Sequence, residues 1–322
     1  MIGSSEFASY HVEEDAPAGS LQAGMTLGSF RILHKLGEGG MGEVRLCRDH
    51  LVGRDVALKV MQPGAAAHVE SRERFVREAR VQGQLEHPAI VPVYDLGVAP
   101  RGYAYFTMKR IRGRTLDEII KLLAAGDAAA AAKYTRRRLL TAFGSVCQAI
   151  DFAHQRGVLH RDLKPSNVIL GDHGEVYVLD WGLAKAAGVE DRVGEAVDDL
   201  PSATGRTLQG TLLGTPGYMA PEQARGEIDR LDERTDVYAL GAILFEIIAL
   251  QPLHRAHTVE GILASTHKGA DGRPSARGAR DVPPEIEAIC VQATAADPAG
   301  RHTSARDLAE ALERFLDGDR NE

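Results

Sequence analysis

The chain has 322 residues, 44% of them hydrophobic, and a net charge of −7 from 38 Lys and Arg against 45 Asp and Glu. That is enough apolar material for a large core split over two lobes or domains, and the negative balance argues against a nucleic-acid-binding surface. Three cysteines at wide spacing (Cys47, Cys147 and Cys290) suggest neither a disulfide framework nor a zinc site, so a reducing cytoplasm is the expected setting. The first twenty residues have neither the basic start nor the apolar run of a signal peptide. Spanning a bilayer takes roughly 18 apolar residues or more, and no run reaches that. The most apolar stretch, Tyr238–Leu250, is broken by Glu246 and reads as a buried core helix.

Taken in order, residues 1–27 are polar, rich in Gly, Ser and Pro, with an acidic cluster at Glu13–Asp15. So little hydrophobicity does not offset ordering entropy, and a flexible tail is expected. From Phe30 the pattern turns to strands, FRILHKLGEGG, EVRLCRDHLVG and RDVALKVM, separated by glycine-containing turns. The first turn runs Leu36-Gly37-Glu38-Gly39-Gly40-Met41-Gly42-Glu43-Val44. Its glycines let backbone N–H groups approach phosphates. A dinucleotide fold or a plain hairpin would use the same pattern, but a strand follows here instead of a helix, which disfavours the dinucleotide reading.

Val56-Ala57-Leu58-Lys59 is a strand ending in a cation, for which an edge lysine facing solvent is the plain alternative. A helix is predicted over residues 69–85, with Phe75, Val76, Ala79 and Leu85 on one side. Its acids include Glu73 and Glu78, and Pro88 stops it. Strands follow over 93–98 and 103–108. Beyond Gly113 the chain becomes mainly helical. Thr115 is placed to cap a helix over 116–123, with Asp117 and Glu118 at its positive end. An Ala-rich linker over 124–132 leads to a long helix over 135–156. Short strands at 168–170 and 176–179 follow, then a stretch over 180–222 with little periodicity, longer than an ordinary loop. Helices starting near Asp236, Pro284 and Ser304 lead to a polar end.

The chemistry concentrates in His160-Arg161-Asp162-Leu163-Lys164-Pro165-Ser166-Asn167, followed by Leu179-Asp180-Trp181-Gly182. Asp162 is a carboxylate suited to accept a hydroxyl proton, and Lys164 is a cation suited to a migrating phosphoryl group. Asn167 and Asp180 offer hard oxygen ligands of the kind Mg²⁺ prefers when it rides on substrate phosphates. A base, a cation and paired metal ligands within such a short span are what phosphoryl transfer requires.

The octapeptide resembles the catalytic loop of protein kinases, and Asp180–Gly182 resembles their Asp-Phe-Gly motif with Trp181 in place of Phe. The glycine turn is similar to the family's Gly-rich loop, and Gly214-Thr215-Pro216-Gly217-Tyr218-Met219-Ala220-Pro221-Glu222 to its substrate-docking stretch and Ala-Pro-Glu motif. The style of these motifs is that of bacterial, eukaryotic-like (Hanks-type) serine/threonine protein kinases. The resemblance covers roughly Phe30 to Leu316. It implies an α+β, bilobal fold with a small β-rich N-lobe carrying one main helix (residues 28–110) and a larger, mainly helical C-lobe (residues 111–317). Tails at 1–27 and 318–322 complete it.

The resemblance also implies transfer of the ATP γ-phosphoryl group to Ser or Thr of protein substrates, the chain itself among them, in bacterial signalling, with Mg²⁺ or alternatively Mn²⁺ as cofactor. Asp162 is then base and orienter, Lys164 and Lys59 neutralise charge, Glu78 holds Lys59, and Asn167 and Asp180 are metal ligands. Leu36–Val44, Ala57, Met108, Lys109 and Ile111 would receive the nucleotide, although the family more often has an acid where Lys109 sits. Thr215 is expected to bond Asp162 and Lys164 and favour Ser or Thr acceptors. Asp236 would brace the catalytic loop and Arg301 would pair with Glu222. Arg161 is expected to receive a phosphate on Thr204, Thr207 or Thr211, with Thr211 first. The acidic run Glu190–Asp199 reads as a solvated loop, with partial mimicry of a phosphate for Arg161 as the alternative. A homodimer is one possible route to autophosphorylation. The competing readings are a pseudokinase and a small-molecule kinase. Intact Lys59, Glu78, Asp162, Asn167 and Asp180 argue against the first, and the Thr215–Glu222 ending against the second.

Overall fold

The computed structural model describes residues 22–39, 42–62, 66, 68–99, 102–186 and 214–318. These residues form an α+β fold in two compact units. One holds the chain up to Gly83 together with Pro92–Ile111, and the other holds Gln84–Val91 together with Arg112 onwards.

The first unit is built on an antiparallel sheet of order β1-β2-β3-β4-β6-β5. Its strands are β1 (Thr26–Leu27), β2 (Phe30–Gly39), β3 (Gly42–Asp49), β4 (Arg54–Met61), β5 (Val93–Val98) and β6 (Ala104–Lys109), with one helix, α1 (Val69–Gln84). Side chains alternate across a strand, so β4 feeds two cores. Val56, Leu58 and Val60 join Ile32, Cys47 and Tyr105 on one face. Met61 joins Phe106, and Phe75 and Ala79 of α1, on the other.

The expected tail through residue 27 does not extend that far. Leu27 is buried with Phe30, Met25 packs beside them, and Gly24 donates its N–H to the Ile32 carbonyl. Two apolar residues in the polar segment are enough to tie its end to the sheet.

The second unit contains β7 (Gly113–Thr115), α2 (Leu116–Ala124), α3 (Ala128–Lys133), α4 (Arg136–His154), β8 (Val158–Leu159), β9 (Val168–Gly171), β10 (Val176–Val178) and β11 (Lys185–Ala186). Its later helices are α5 (Pro221–Ala224), α6 (Glu233–Ala249), α7 (Val259–Lys268), α8 (Pro284–Ala293) and α9 (Ala305–Gly318). Thr115 caps α2 in a reciprocal box with Glu118, as the Thr-x-x-Glu spacing foretells. The stretch read as an Ala-rich linker contains α3, because Asp127 caps the run by accepting from the Ala130 N–H and alanine has the highest helix propensity.

Helix α6 is buried from Thr235 to Ala249, which accounts for its lack of a polar face. Gly241 lets it pack close to α8, since a Cβ there would lie 2.6 Å from that of Ala293. Gln84–Val91, expected in the N-lobe, clusters with the second unit. The cause is local: Val178 donates its N–H to the Ala89 carbonyl, and Ile90 forms an isolated bridge with Val178.

Candidate active site

In the first unit, Lys59 stands near the end of β4, opposite Val44 of β3 and Phe106 of β6. Its Nζ lies 2.5 Å from Oε1 of Glu78 on α1, so Glu78 rather than Glu73 is the partner. Glu78 is only 2% exposed and the cation also lies near the rings of Phe75 and Phe106, at 6.0 and 5.8 Å. A desolvated ion pair of this kind fixes the ammonium in one place.

The glycine turn links β2 and β3. Gly42 has a packing reason to be glycine, because a Cβ would lie 2.4 Å from the Val60 carbonyl oxygen. Glu38 accepts hydrogen bonds from Lys35 and, at 2.6 Å, from Gln62. Those bonds, Lys35's first, hold its carboxyl below the usual range. Glu43 is buried against Arg45 at 2.7 Å, and Leu36 is exposed. Gly40 and Met41 lie outside the described residues. Ala57 pairs with Met108 across the β4–β6 ladder, and the Lys109 N–H is bonded to the Pro92 carbonyl. Arg110 is tied to Asp55 at 2.8 Å. Among the described residues Ile111 has no hydrogen-bond partner.

In the second unit, Asp236 organises the loop that carries Asp162. Its buried carboxylate accepts the backbone N–H groups of His160 and Arg161 and bonds His154 Nε2, each at 2.8 Å. Burial pushes the carboxyl up, but the hydrogen bond and charge of His154, with those of His160, outweigh it and hold the group below its ordinary range. The reward is backbone geometry. Arg161 sits at φ 64°, a left-handed conformation unfavourable to a side chain, and is held there by these bonds and by Gln223 Nε2 donating to its carbonyl at 2.7 Å.

Asp162, Lys164 and Thr215 then form a closed triangle. The Thr215 hydroxyl donates to Asp162 Oδ1 at 2.6 Å, and Lys164 Nζ donates to Thr215 Oγ1 and to Asp162 Oδ2, both at 2.8 Å. Gly214 allows the approach: it has φ 116°, and a Cβ would lie 2.8 Å from the Arg161 carbonyl oxygen. Asn167 donates Nδ2 to the Asp162 carbonyl at 3.0 Å, which leaves Oδ1 for another partner. The β9–β10 pairing continues past the strands, with the Leu179 N–H on the Asn167 carbonyl at 2.8 Å, so Asn167 and Asp180 stand at the same open end of this hairpin. Asp180 is exposed at φ 63°, without a hydrogen-bond or ion-pair partner among the described residues.

Trp181 is 1% exposed and packs on His160 with ring centroids 4.7 Å apart. His160 Nδ1 accepts the Asp162 N–H, so Nε2 carries the proton given to the Leu179 carbonyl. Arg161 is buried, its Nε donating to the Leu183 carbonyl at 2.7 Å. Thr204, Thr207, Thr211 and the acidic run Glu190–Asp199 lie outside the described residues. Arg301 and Glu222 meet as a buried pair. Sequence alone does not single out His154 or Gln223. Each sits within an ordinary helical run, and only the fold reveals what it bonds.

Among the described residues no cluster of three or more His, Cys, Asp or Glu is placed to hold a metal on its own, and no helix is long and apolar enough to cross a membrane.

A family model described as the protein kinase domain matches residues 30–313. The chain belongs to the protein kinase domain family. It is 34% identical over 296 residues to the serine/threonine-protein kinase PknD of Chlamydia felis, covering 90% of this chain and 31% of that protein. The PknD kinases of Chlamydia pneumoniae (35% over 295 residues) and Protochlamydia amoebophila (33% over 297) match over the same 90% of the chain. This kinase domain spans just under a third of the length of these curated relatives. In three dimensions it resembles the crystal structure of the Mycobacterium tuberculosis PknI kinase domain, with a TM-score of 0.63 and 26% identity over 92% of this chain and 99% of that one. The relatives are thus bacterial serine/threonine kinases, and the α+β kinase fold expected from the motifs is the one observed.

Proposed function

We propose that this kinase domain transfers the γ-phosphoryl group of ATP to Ser and Thr hydroxyls of protein substrates, a second copy of itself among them, in the bacterial cytoplasm. The observation that supports this most is the Thr215–Asp162–Lys164 triangle. There the Asp162 carboxylate accepts a hydrogen bond from a hydroxyl 2.6 Å away, which is the interaction an acceptor Ser or Thr would need with its base. Lys164 stands beside both groups as the cation for the transferred phosphoryl.

The remaining roles are those the family resemblance implies. Lys59, oriented by Glu78, serves the ATP phosphates. The backbone of the glycine turn, Leu36 to Val44, covers them. Ala57 and the segment of Met108, Lys109 and Ile111 take the adenine, and the main chain of Ile111, without a hydrogen-bond partner among the described residues, suits an edge read through backbone groups. Mg²⁺ or Mn²⁺ fits the donor set: Asn167 has spent its nitrogen on the Asp162 carbonyl and offers an oxygen, and the Asp180 carboxylate is exposed and has no partner among the described residues. Two protein ligands suffice for a cation that brings phosphate oxygens with it. When bound, that ion neutralises charge on the phosphates. Arg161 is assigned to a phosphate on Thr204, Thr207 or Thr211, with Thr211 the first choice.

The test is labelled ATP with wild type beside Asp162→Asn, and mass-spectrometric mapping of the product. Label on Ser or Thr in wild type, and a loss of at least about a hundredfold in the variant with nucleotide affinity retained, is the expected result. Wild-type-like turnover in Asp162→Asn would end the assignment of Asp162. In the same assay, normal autophosphorylation and turnover by Thr211→Ala would remove Thr211 as the switch.

A further inference from the structure

The second unit has a cavity of about 390 Å³ away from the Asp162 cluster, between the first three turns of α4 and the closed end of the β9–β10 hairpin. Its α4 side presents Arg137, Arg138, Thr141 and Ser145, and its floor includes Leu170 and Val176 of the hairpin. We propose that it binds a small organic anion: one phosphate or carboxylate group on an apolar body.

Charge is the first reason. Arg137 and Arg138 both line the cavity and the first turn of α4 contains no acid, while Lys133 pairs with Asp172 at 3.4 Å and Arg136 donates to the Asp281 and Arg280 carbonyls. Cations are disfavoured at the start of a helix, where the backbone dipole is positive. Departures from a local rule collect at functional sites. Arg138 is not neutralised by a carboxylate among the described residues. Its contacts are the Lys133 carbonyl at 3.2 Å and the Tyr134 ring at 5.7 Å. A guanidinium held by a carbonyl keeps further donors for a planar or tetrahedral anion.

Shape and lining give the second reason. The volume falls in the range of small-molecule sites, which combine an apolar wall with a few placed polar groups. Leu170 and Val176 supply the wall, and the Ser145 hydroxyl supplies a neutral donor. The acid Glu175 also lines the cavity, its Oε2 accepting the His173 N–H at 3.0 Å, so the lining is not a featureless basic patch. The hairpin closes here, with the Gly171 N–H on the Glu175 carbonyl at 2.7 Å, while Asn167 and Asp180 stand at its other end.

The experiment is calorimetric titration of the whole chain with phenyl phosphate, benzoate and inorganic phosphate, with excess AMP-PNP and Mg²⁺ present. The variants are Arg138→Gln and Ser145→Leu, both at half-buried positions, each checked by its melting temperature. Saturable one-site binding of phenyl phosphate or benzoate is expected, weakened roughly tenfold or more (about 1.4 kcal/mol) in both variants at unchanged melting temperature. Tighter binding of phenyl phosphate assigns a phosphomonoester, and tighter binding of benzoate a carboxylate. Absence of saturable binding, equal affinity in wild type and Arg138→Gln, or inorganic phosphate binding as well as phenyl phosphate would overturn the proposal. Because the readout is binding, it stands or falls apart from phosphoryl transfer.

Discussion

Arg301 donates both terminal nitrogens to Glu222, at 2.7 and 2.8 Å, with 0% and 4% of the two side chains exposed. The same guanidinium also bonds the carbonyls of Ala295, Arg234 and Ala296, and Thr235 donates to Glu222. Removing one partner leaves the other charge buried and uncompensated, which costs roughly 3–5 kcal/mol. Arg301→Ala is therefore expected to lose about that much in urea unfolding. Arg301→Lys should also be impaired, because an ammonium cannot reproduce the two-pronged geometry. A loss within experimental error for Arg301→Ala would show that the pair is not a structural anchor.

The acid limb of stability should depend on Asp236. Its folded carboxyl titrates below the ordinary range, so an unfolded chain binds more protons around the usual Asp value of about 3.9. The stabilisation is complete above that value and is lost as pH falls through the lower folded one. Unfolding midpoints measured from neutral pH downward should hold until about pH 4 and then fall, and Asp236→Asn should flatten this limb while lowering the plateau. An unchanged acid slope in Asp236→Asn would assign the acid loss to other carboxylates.

Much of this molecule was legible because its information is local. The Thr115-x-x-Glu118 cap, the Gly-containing strand turns and the His160–Asn167 octapeptide each occupy a few adjacent residues, so sequence alone locates them. The Lys59–Glu78 and Asp162–Thr215 contacts are not local, and family resemblance selected them, Glu78 over its nearest rival Glu73. What escaped notice was decided by packing. The two-residue strand β1 exists only because Met25 and Leu27 find the outer face of the sheet. Helix α3 was hidden in a stretch whose alanines show no periodicity. His154 and Gln223 matter only because the fold brings Asp236 and the Arg161 carbonyl to them.

Trp181 has a defect that a smaller ring lacks. Its indole Nε1 is buried and finds no hydrogen-bond partner among the described residues. An unsatisfied buried donor costs about 1–3 kcal/mol, of the same order as the packing lost when a large side chain is trimmed inside a core. The two effects oppose each other in Trp181→Phe, so its stability should stay within about 1 kcal/mol of wild type. Trp181→Ala removes the packing as well and should cost roughly 3–5 kcal/mol. As Trp181 is the sole tryptophan, near-ultraviolet dichroism of the wild type reports its packing directly. A Phe variant as damaged as the Ala variant would mean that the indole has a partner.

Lys59 and Glu78 separate catalysis from folding most clearly. With Glu78 only 2% exposed, Lys59→Met leaves a buried carboxylate without its cation, and a destabilisation of roughly 3–5 kcal/mol is expected along with loss of phosphoryl transfer. Glu78→Gln keeps the cation on the strand and removes the group that orients it. That variant should stay folded but turn over at least about tenfold more slowly, with a higher KM for ATP. Lys59→Met combined with Glu78→Leu replaces the pair by apolar side chains and should regain most of the lost stability without regaining activity. Urea unfolding and steady-state kinetics on the three proteins test this directly. Recovery of transfer in the double variant would show that Lys59 does not act on the ATP phosphates.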